Sequence, residues 1–308
     1  MNVDDTAAMI KDMTIRGAGK IARVGVSALS DFVGSYDGRD MKTFRKDLEK
    51  AKKKILDSRP TAVSLWNGVH TALKGVEKAK DVGEAISLVQ KNAKEFIENS
   101  TKAVELIGKI GAKRIQDGDT VMTHCNSSAA LSVIKTAYGQ GKHIKVYATE
   151  SRPWRQGILT VNDLGKAGID TTLIIDSAVR TVMTKIDKVF VGADTITSHG
   201  VLVNKIGTSQ LALAANEARV QFYVCSETYK FSPMTLFGDT VTIEERGCDE
   251  VVKNGEILDS VKIYNPVFDV TPAKYIDAII TELGIMSPCS VYDVLIRQLG
   301  EEIFQIEE

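Results

Sequence analysis

The chain has 308 residues, 44% of them hydrophobic and 26% charged, and its 39 basic and 40 acidic side chains leave a formal net charge of −1. That apolar content is too high for a disordered chain, and 6 Pro with 24 Gly exclude a collagen-like or low-complexity protein. At about 100–200 residues per domain the length predicts two domains, although one large α/β unit also fits it.

From Met1 to Arg114 the apolar period is helical. Ile15, Ala18, Ile21, Ala22, Gly25, Ala28, Leu29 and Phe32 fall on one face, with small residues that permit close packing. A second helix fits Lys42–Leu56 and stops at Arg59-Pro60. Thr61–Lys80 reads as a third helix and Gly83–Lys113 as a long fourth, with a break expected near Asn99-Ser100.

After Gln116-Asp117-Gly118-Asp119 the pattern changes to short β-branched runs, each followed by an amphipathic helix: Thr120–His124 then Ser127–Tyr138, and Ile144–Ala148 then Gly157–Gly165. Thr171–Ile175, Ala178–Lys185, Lys188–Gly192, Ser209–Ala218 and Val220–Cys225 continue it. Such alternation demands a parallel sheet covered by helices on both faces. The expected fold is therefore α/β, with a helical N-terminal domain over 1–115 and a Rossmann-like parallel-sheet domain over 116–308.

Cys125, Cys225, Cys248 and Cys289 form no C-x-x-C pair, and His70, His124, His143 and His199 are equally scattered, so free thiols and a metal-free, cofactor-free chemistry are expected. No run reaches the roughly 18 apolar residues of a membrane span, and Met1–Ile10 lacks the layout of a secretory signal, so no membrane partner and a cytoplasmic location are expected. The near-zero charge hides an asymmetry. Through Arg114 there are 22 basic and 15 acidic residues, a balance of +7, and the remainder carries −8. The lysines of the basic half are mixed with acids and lack interleaved aromatics, which fits solvated helix faces rather than nucleic-acid binding.

In open parallel sheets, ligands bind beyond the carboxyl ends of the strands. The first strand ends in Thr123-His124-Cys125-Asn126-Ser127-Ser128, where a helix begins. A thiol at a helix N-terminus is expected to shift towards thiolate, making Cys125 a candidate acid/base, although a small buried residue at a strand end fits as well. The second strand ends in Thr149-Glu150-Ser151-Arg152-Pro153, then Trp154-Arg155-Gln156-Gly157; Arg152 and Gln156 suit an anion or polyol there. The fourth gives Gly192-Ala193-Asp194, followed by Asn204-Lys205-Ile206-Gly207-Thr208. Asp194 is poised for proton transfer or is a simple turn residue, and Asn204 and Lys205 suit hydroxyls or phosphate. In the helical half, Arg16-Gly17-Ala18-Gly19-Lys20 opens a helix as a phosphate cradle or as a plain glycine-rich start, and Arg59 stands at a second helix boundary.

Taken in order, Arg16-Gly17-Ala18, Arg59-Pro60-Thr61-Ala62-Val63, the Cys125-Asn126 turn, Glu150-Ser151-Arg152-Pro153 with Gln156-Gly157, Gly192-Ala193-Asp194 and Asn204-Lys205-Ile206-Gly207-Thr208 resemble one superfamily. It unites methylthioribose-1-phosphate isomerase, ribose-1,5-bisphosphate isomerase and the regulatory subunits of translation initiation factor 2B. The resemblance runs from about residue 14 to 300 and implies dimers or dimer-based hexamers. Regulatory subunits of that superfamily generally lack the Cys and carry Gly-Ala-Glu, so Cys125 with Asp194 implies an enzyme. Methylthioribose-phosphate isomerases typically read Arg-Gly-Ala-Pro and Thr-Cys-Asn-(Ala/Thr)-Gly. Here Arg16-Gly17-Ala18-Gly19-Lys20 and His124-Cys125-Asn126-Ser127-Ser128 look like the ribose-1,5-bisphosphate enzyme of nucleotide salvage. The resemblance then implies Cys125 and Asp194 as the catalytic pair, with Arg16, Gly17, Ala18, Gly19, Lys20, Arg59, Arg152, Gln156, Asn204 and Lys205 around a small sugar bisphosphate; the pair's matched ionisation calls for Asp194 to be kept protonated by burial. An adenylate activator fits an enzyme fed by AMP breakdown, although no motif marks an AMP site.

Overall fold

The computed structural model describes residues 2–299 apart from 238, 239, 254 and 259, so the end of the expected second domain, 300–308, lies outside the described residues. The chain forms two compact units, Met1–Ala103 and Val104–Glu308.

The first unit is helical: α1 (Val3–Lys11), α2 (Ala18–Gly34), α3 (Met41–Asp57), α4 (Val63–Leu73) and the greater part of α5 (Val82–Gly111). Of the apolar face expected around α2, Ile15, Ile21, Ala22, Gly25, Ala28 and Leu29 are buried, packing with Leu65 and Val69 of α4 and Ile55 of α3. Helix α1 is an addition to the expected elements. Its start is set by Asn2, whose side-chain oxygen accepts the Asp5 N–H at 2.7 Å, with Asp4 and Asp5 favourably placed in the first turn. The expected third helix stops at Leu73, because Gly75 turns left-handed at φ 81° ahead of the short turn Val76–Lys78. The expected break near Asn99-Ser100 is absent. The hydroxyls of Ser100 and Thr101 both donate to the Ile97 carbonyl, at 3.0 and 2.9 Å, so these polar side chains are satisfied inside a continuous helix.

The second unit holds the sheet. Strands β1 (Thr120–Thr123), β2 (Lys145–Thr149), β3 (Asp170–Ile174), β4 (Lys188–Val191), β7 (Gln221–Cys225), β10 (Ala278–Thr281) and β11 (Gly284–Met286) lie in the order β11-β10-β7-β4-β1-β2-β3. Every neighbouring pair is parallel except β10 with β11. Helices α6 (Ser128–Gly139), α7 (Gly157–Lys166), α8 (Val179–Val182), α9 (Thr208–Ala218) and α10 (Val291–Leu299) accompany it.

Alternation along the strands explains their continuous apolar runs. Val121, Phe190, Tyr223 and Ile280 pack on the face shared with Ala130 and Ile134 of α6, Leu164 of α7 and Ile107 of α5. Their neighbours Met122, Val189, Val224 and Ile279 pack on the other face, with Leu211 and Ala215 of α9 and Leu295 of α10. A second, four-stranded sheet was not expected from sequence. It contains β5 (Thr195–Thr197), β6 (Leu202–Lys205), β8 (Phe231–Ser232) and β9 (Phe268–Thr271) in the order β8-β5-β6-β9.

The strand order reverses between β1 and β4. The chain runs from β1 outwards through β2 and β3 on one side, and from β4 through β7 and β10 on the other. The two turns at that reversal, after β1 and after β4, therefore flank a crevice, and they carry Cys125 and Asp194.

Candidate active site

The crevice is tight. A Cβ on Gly192, just past β4, would come within 2.3 Å of the Ser127 hydroxyl, so the two turns approach as closely as a hydrogen side chain allows. Ser127 caps α6, its hydroxyl accepting the Ala130 N–H at 3.3 Å. Cys125 sits two residues ahead of that cap with φ 65°, its N–H donating to Ser151 Oγ at 2.8 Å and its carbonyl accepting from Thr160 Oγ1 at 2.7 Å. Its thiol donates to Gln156 Oε1 at 3.0 Å. Two of the candidate site residues, Cys125 and Gln156, are thus in contact.

The expected bias of Cys125 towards thiolate is corrected. Burial pushes the thiol up to about 11; Lys205 and the Asn126 N–H draw it down, while the nearby carboxylates of Asp194 and Asp176 push it further up. The α6 start does not win because it lies beyond Asn126 and Ser127, and desolvation is the larger effect. The same interactions show that Lys205 and Asp194 stand within electrostatic reach of Cys125. Asp194 itself is half-buried, and its N–H donates to the Val203 carbonyl at 3.1 Å, tying the β4 turn to β6.

Lys205 is buried at the end of β6, with its ammonium 5.6 Å from the centre of the Phe268 ring. Asn204 is also buried, and its amide donates to Thr208 Oγ1 at 3.0 Å, so in this structure it braces the turn. Asp269, paired with Asn204 across β6 and β9, accepts the N–H groups of Gly207 and Ser209 at 2.8 and 3.0 Å. Burial nevertheless raises its carboxyl to about 6, and its other oxygen is buried without a hydrogen-bond partner.

Arg152 is exposed. Its N–H and that of Ser151 donate to the two Asp176 oxygens at 2.8 Å each, and its guanidinium donates to the Val251 carbonyl at 3.0 Å. Behind it, Gly157 starts α7 where a Cβ would fall 1.8 Å from the Thr149 carbonyl oxygen, so only glycine lets the helix begin there.

In the first unit, Gly17 caps α2 with φ 88°, Ala18 and Gly19 form its first turn, and Arg16 and Lys20 are exposed beside it. The half-buried Arg59 reaches the same end, its guanidinium 3.4 Å from Met13 Sδ, and Ser64 Oγ donates to the Ala18 carbonyl at 2.9 Å. The two arginine-bearing segments are therefore neighbours within that unit.

Several residues at the strand ends were not singled out from sequence. His124 is buried, with Nδ1 2.5 Å from Thr149 Oγ1 and Nε2 2.9 Å from the Ile206 carbonyl, and burial drives its pKa down. Ser151 and Asp176 hold the Cys125 and Arg152 turns, as described above. All three stand within two residues of a strand end, so the strand-end rule applied to every polar residue would have found them. Among the described residues no three His, Cys, Asp or Glu side chains are grouped to hold a metal ion, and no helix is long and apolar enough to cross a membrane.

Comparisons with known proteins bear on the family and the fold. The model of the initiation factor 2 subunit family matches residues 14–288. A protein of Methanocaldococcus jannaschii named ribose 1,5-bisphosphate isomerase is 50% identical over 298 residues, covering 97% of this chain and 96% of the relative. A methylthioribose-1-phosphate isomerase of Thermosipho africanus is 38% identical over 315 residues, covering 97% and 90%. The crystal structure of translation initiation factor eIF-2B from Pyrococcus horikoshii superimposes with a TM-score of 0.79 at 34% identity, covering 93% of this chain and 97% of that one. The chain therefore belongs to the initiation factor 2 subunit family.

Proposed function

We propose that this protein is an isomerase that converts ribose 1,5-bisphosphate to ribulose 1,5-bisphosphate, with Cys125 and Asp194 as its acid/base pair. The observation that carries the reading is the meeting of the Cys125 and Asp194 turns at the reversal of strand order, with Lys205 and Gln156 beside the thiol. The 50% identity to a named ribose 1,5-bisphosphate isomerase, against 38% to a named methylthioribose-1-phosphate isomerase, supports the choice of sugar.

The substrate chemistry defines the tasks. The anomeric phosphate prevents C1 from presenting a free aldehyde, so the ring must open while the C1–O–phosphate bond survives. Asp194 enters the step protonated, which also removes the negative charge that raises the Cys125 thiol, and donates to the ring oxygen, leaving an oxocarbenium at C1. Cys125 carries the hydrogen from C2 to C1: as thiolate it takes the C2 proton, leaving an enol phosphate across C1 and C2, and the resulting thiol returns that proton to C1 as the Asp194 carboxylate takes the C2 hydroxyl proton. Each positioned acid/base group contributes about 10²–10⁴-fold to such a step. A direct hydride shift from C2 to C1 is the second reading, and the thiol's elevation to about 11 favours it, since a neutral thiol does not abstract the C2 hydrogen.

Lys205, Asn204, Gln156 and Arg152 are assigned to substrate, with Asn204 releasing Thr208 and Arg152 releasing Val251 to do so. Arg16, Gly17, Ala18, Gly19, Lys20 and Arg59 are assigned to phosphate on the strength of the sequence resemblance. The same resemblance supports a dimer-based homo-oligomer, up to a hexamer, a place in AMP breakdown, and an adenylate activator. Cys125→Ser and Asp194→Asn are each expected to abolish conversion while leaving the fold intact; full activity in either overturns the assignment.

A further inference from the structure

One buried side chain links three of the turns that build the site, those after β1, β2 and β6, and the reaction proposed above assigns it nothing. We propose that His124, as a neutral imidazole protonated on Nε2, is the positioning residue that clamps the turns bearing Cys125, Gln156 and Lys205 into one active site. The activity readout of this proposal rests on the isomerase reading; its spectroscopic readout does not.

The tautomer follows from the partners. A backbone carbonyl only accepts, so the 2.9 Å contact between Nε2 and the Ile206 oxygen requires Nε2–H to donate. Nδ1 then offers a lone pair to a hydroxyl, and Thr149 Oγ1 lies 2.5 Å away. The remaining protons fall into one direction. The Cys125 N–H donates to Ser151 Oγ at 2.8 Å, and Ser151 O–H donates to Thr149 Oγ1 at 3.2 Å. Thr149 O–H donates to Nδ1, and Nε2–H donates to Ile206. Every donor in this chain has an acceptor and no two lone pairs face each other. The Nδ1–H tautomer would set the Nε2 lone pair against the carbonyl, and an imidazolium would force Thr149 to reverse.

The charged groups around the ring leave it neutral. Asp176, from the end of β3, favours protonation; Lys205, from β6, opposes it, as does burial, which dominates. Asp269, from β9, fixes the same turn through the Gly207 and Ser209 amides. Packing adds to the clamp: a Cβ on Gly207, which holds φ 102°, would stand 3.0 Å from the ring's Cε1. The ring thus links the end of β1, the end of β2 and the β6–α9 turn. Gln156 and Lys205 belong to the second and third of these, and both act on the Cys125 thiol.

Two substitutions separate positioning from bulk. His124→Gln keeps an amide N–H able to reach the Ile206 carbonyl, whereas His124→Asn is too short. In the full-length protein His124→Asn is expected to lower kcat by at least about 30-fold with KM changed less, since a misplacement of about 1 Å costs on the order of 10²-fold. His124→Gln is expected to stay within about 5-fold of the unsubstituted enzyme. Equal losses in the two variants, or full activity in His124→Asn, overturn the proposal. The long-range ¹H–¹⁵N imidazole spectrum of the unsubstituted protein, with His124 assigned by its disappearance in either variant that folds, is expected to show an Nε2-protonated ring that stays neutral as pH falls below the ordinary 6.5; the half-buried His70, whose Nδ1 faces the Trp66 carbonyl at 2.8 Å, is told apart by its opposite tautomer. A spectrum that contains no pH-insensitive ring protonated on Nε2 overturns it even if neither variant folds. If the unsubstituted protein does not isomerise the sugar, the functional reading falls and this spectrum alone decides the role of His124.

Discussion

At Cys125, two effects compete. The residue stands near a helix start and within reach of Lys205, both of which favour thiolate, yet burial and two carboxylates hold the proton on sulfur to about 11. This makes the fate of the migrating hydrogen the informative observable at the residue scale. Deuterium at C1 of ribulose 1,5-bisphosphate after turnover in D₂O establishes proton transfer through a base, since a hydride shift admits none; product free of solvent deuterium means either a hydride shift or a Cys125 that returns its proton without exchange. Asp269 gives a second prediction. Its folded-state carboxyl is raised to about 6 from an ordinary 3.8, so the folded state binds the proton more tightly. Its contribution to stability is therefore fully present below pH 3.8 and is lost as pH rises through 6. Discounted for partial exposure, the swing is about 1–2 kcal/mol. Melting curves between pH 4 and 7 are expected to show a difference between the unsubstituted protein and Asp269→Asn that changes in that window; a pH-independent difference contradicts it.

At the scale of elements, the site is built from turns whose backbones approach too closely for other residues. Gly157→Ala would place a Cβ against the Thr149 carbonyl, a backbone atom held in β2, so the strain has no side chain to relieve it. The expected cost is about 1–3 kcal/mol of stability by chemical denaturation, with activity reduced because the Gln156 turn shifts. Ser127→Ala removes the cap of α6 and should cost about 1 kcal/mol. The parallel sheet and most helices were legible because both obey strong periodicities: Val121 and Met122, or Phe190 and Val191, are apolar in succession because each faces a different covered side. Cys125, Asp194, Gln156 and Lys205 were legible because the strand-end rule points to them. Strands β5, β6, β8 and β9 were not, and neither were β10 and β11 of the main sheet, since runs of two to four residues outside a strand-then-helix repeat carry no mark of their own. The elevation of the Cys125 thiol was also hidden, because it depends on burial and on Asp176, which is distant in sequence.

For the whole molecule, a charge of −1 hides a basic stretch through Arg114 and an acidic remainder. The basic stretch contains Arg16, Lys20 and Arg59, and the acidic remainder contains Cys125 and Asp194, so phosphate recognition and acid/base chemistry are assigned to different parts of the chain. Substituting Arg16 or Arg59 by Ala is accordingly expected to raise KM for a bisphosphate more than it lowers kcat, by roughly 10-fold or more, as steady-state kinetics would show. Light scattering is expected to give a mass of at least twice that of one chain. The most direct test of the central claim is a steady-state comparison of kcat/KM for ribose 1,5-bisphosphate and methylthioribose 1-phosphate, run with the unsubstituted protein and with Cys125→Ser. The account predicts turnover of ribose 1,5-bisphosphate at least about 100-fold more efficient than of methylthioribose 1-phosphate, and its loss in the variant. Preference for methylthioribose 1-phosphate, or no turnover of either sugar, would contradict it.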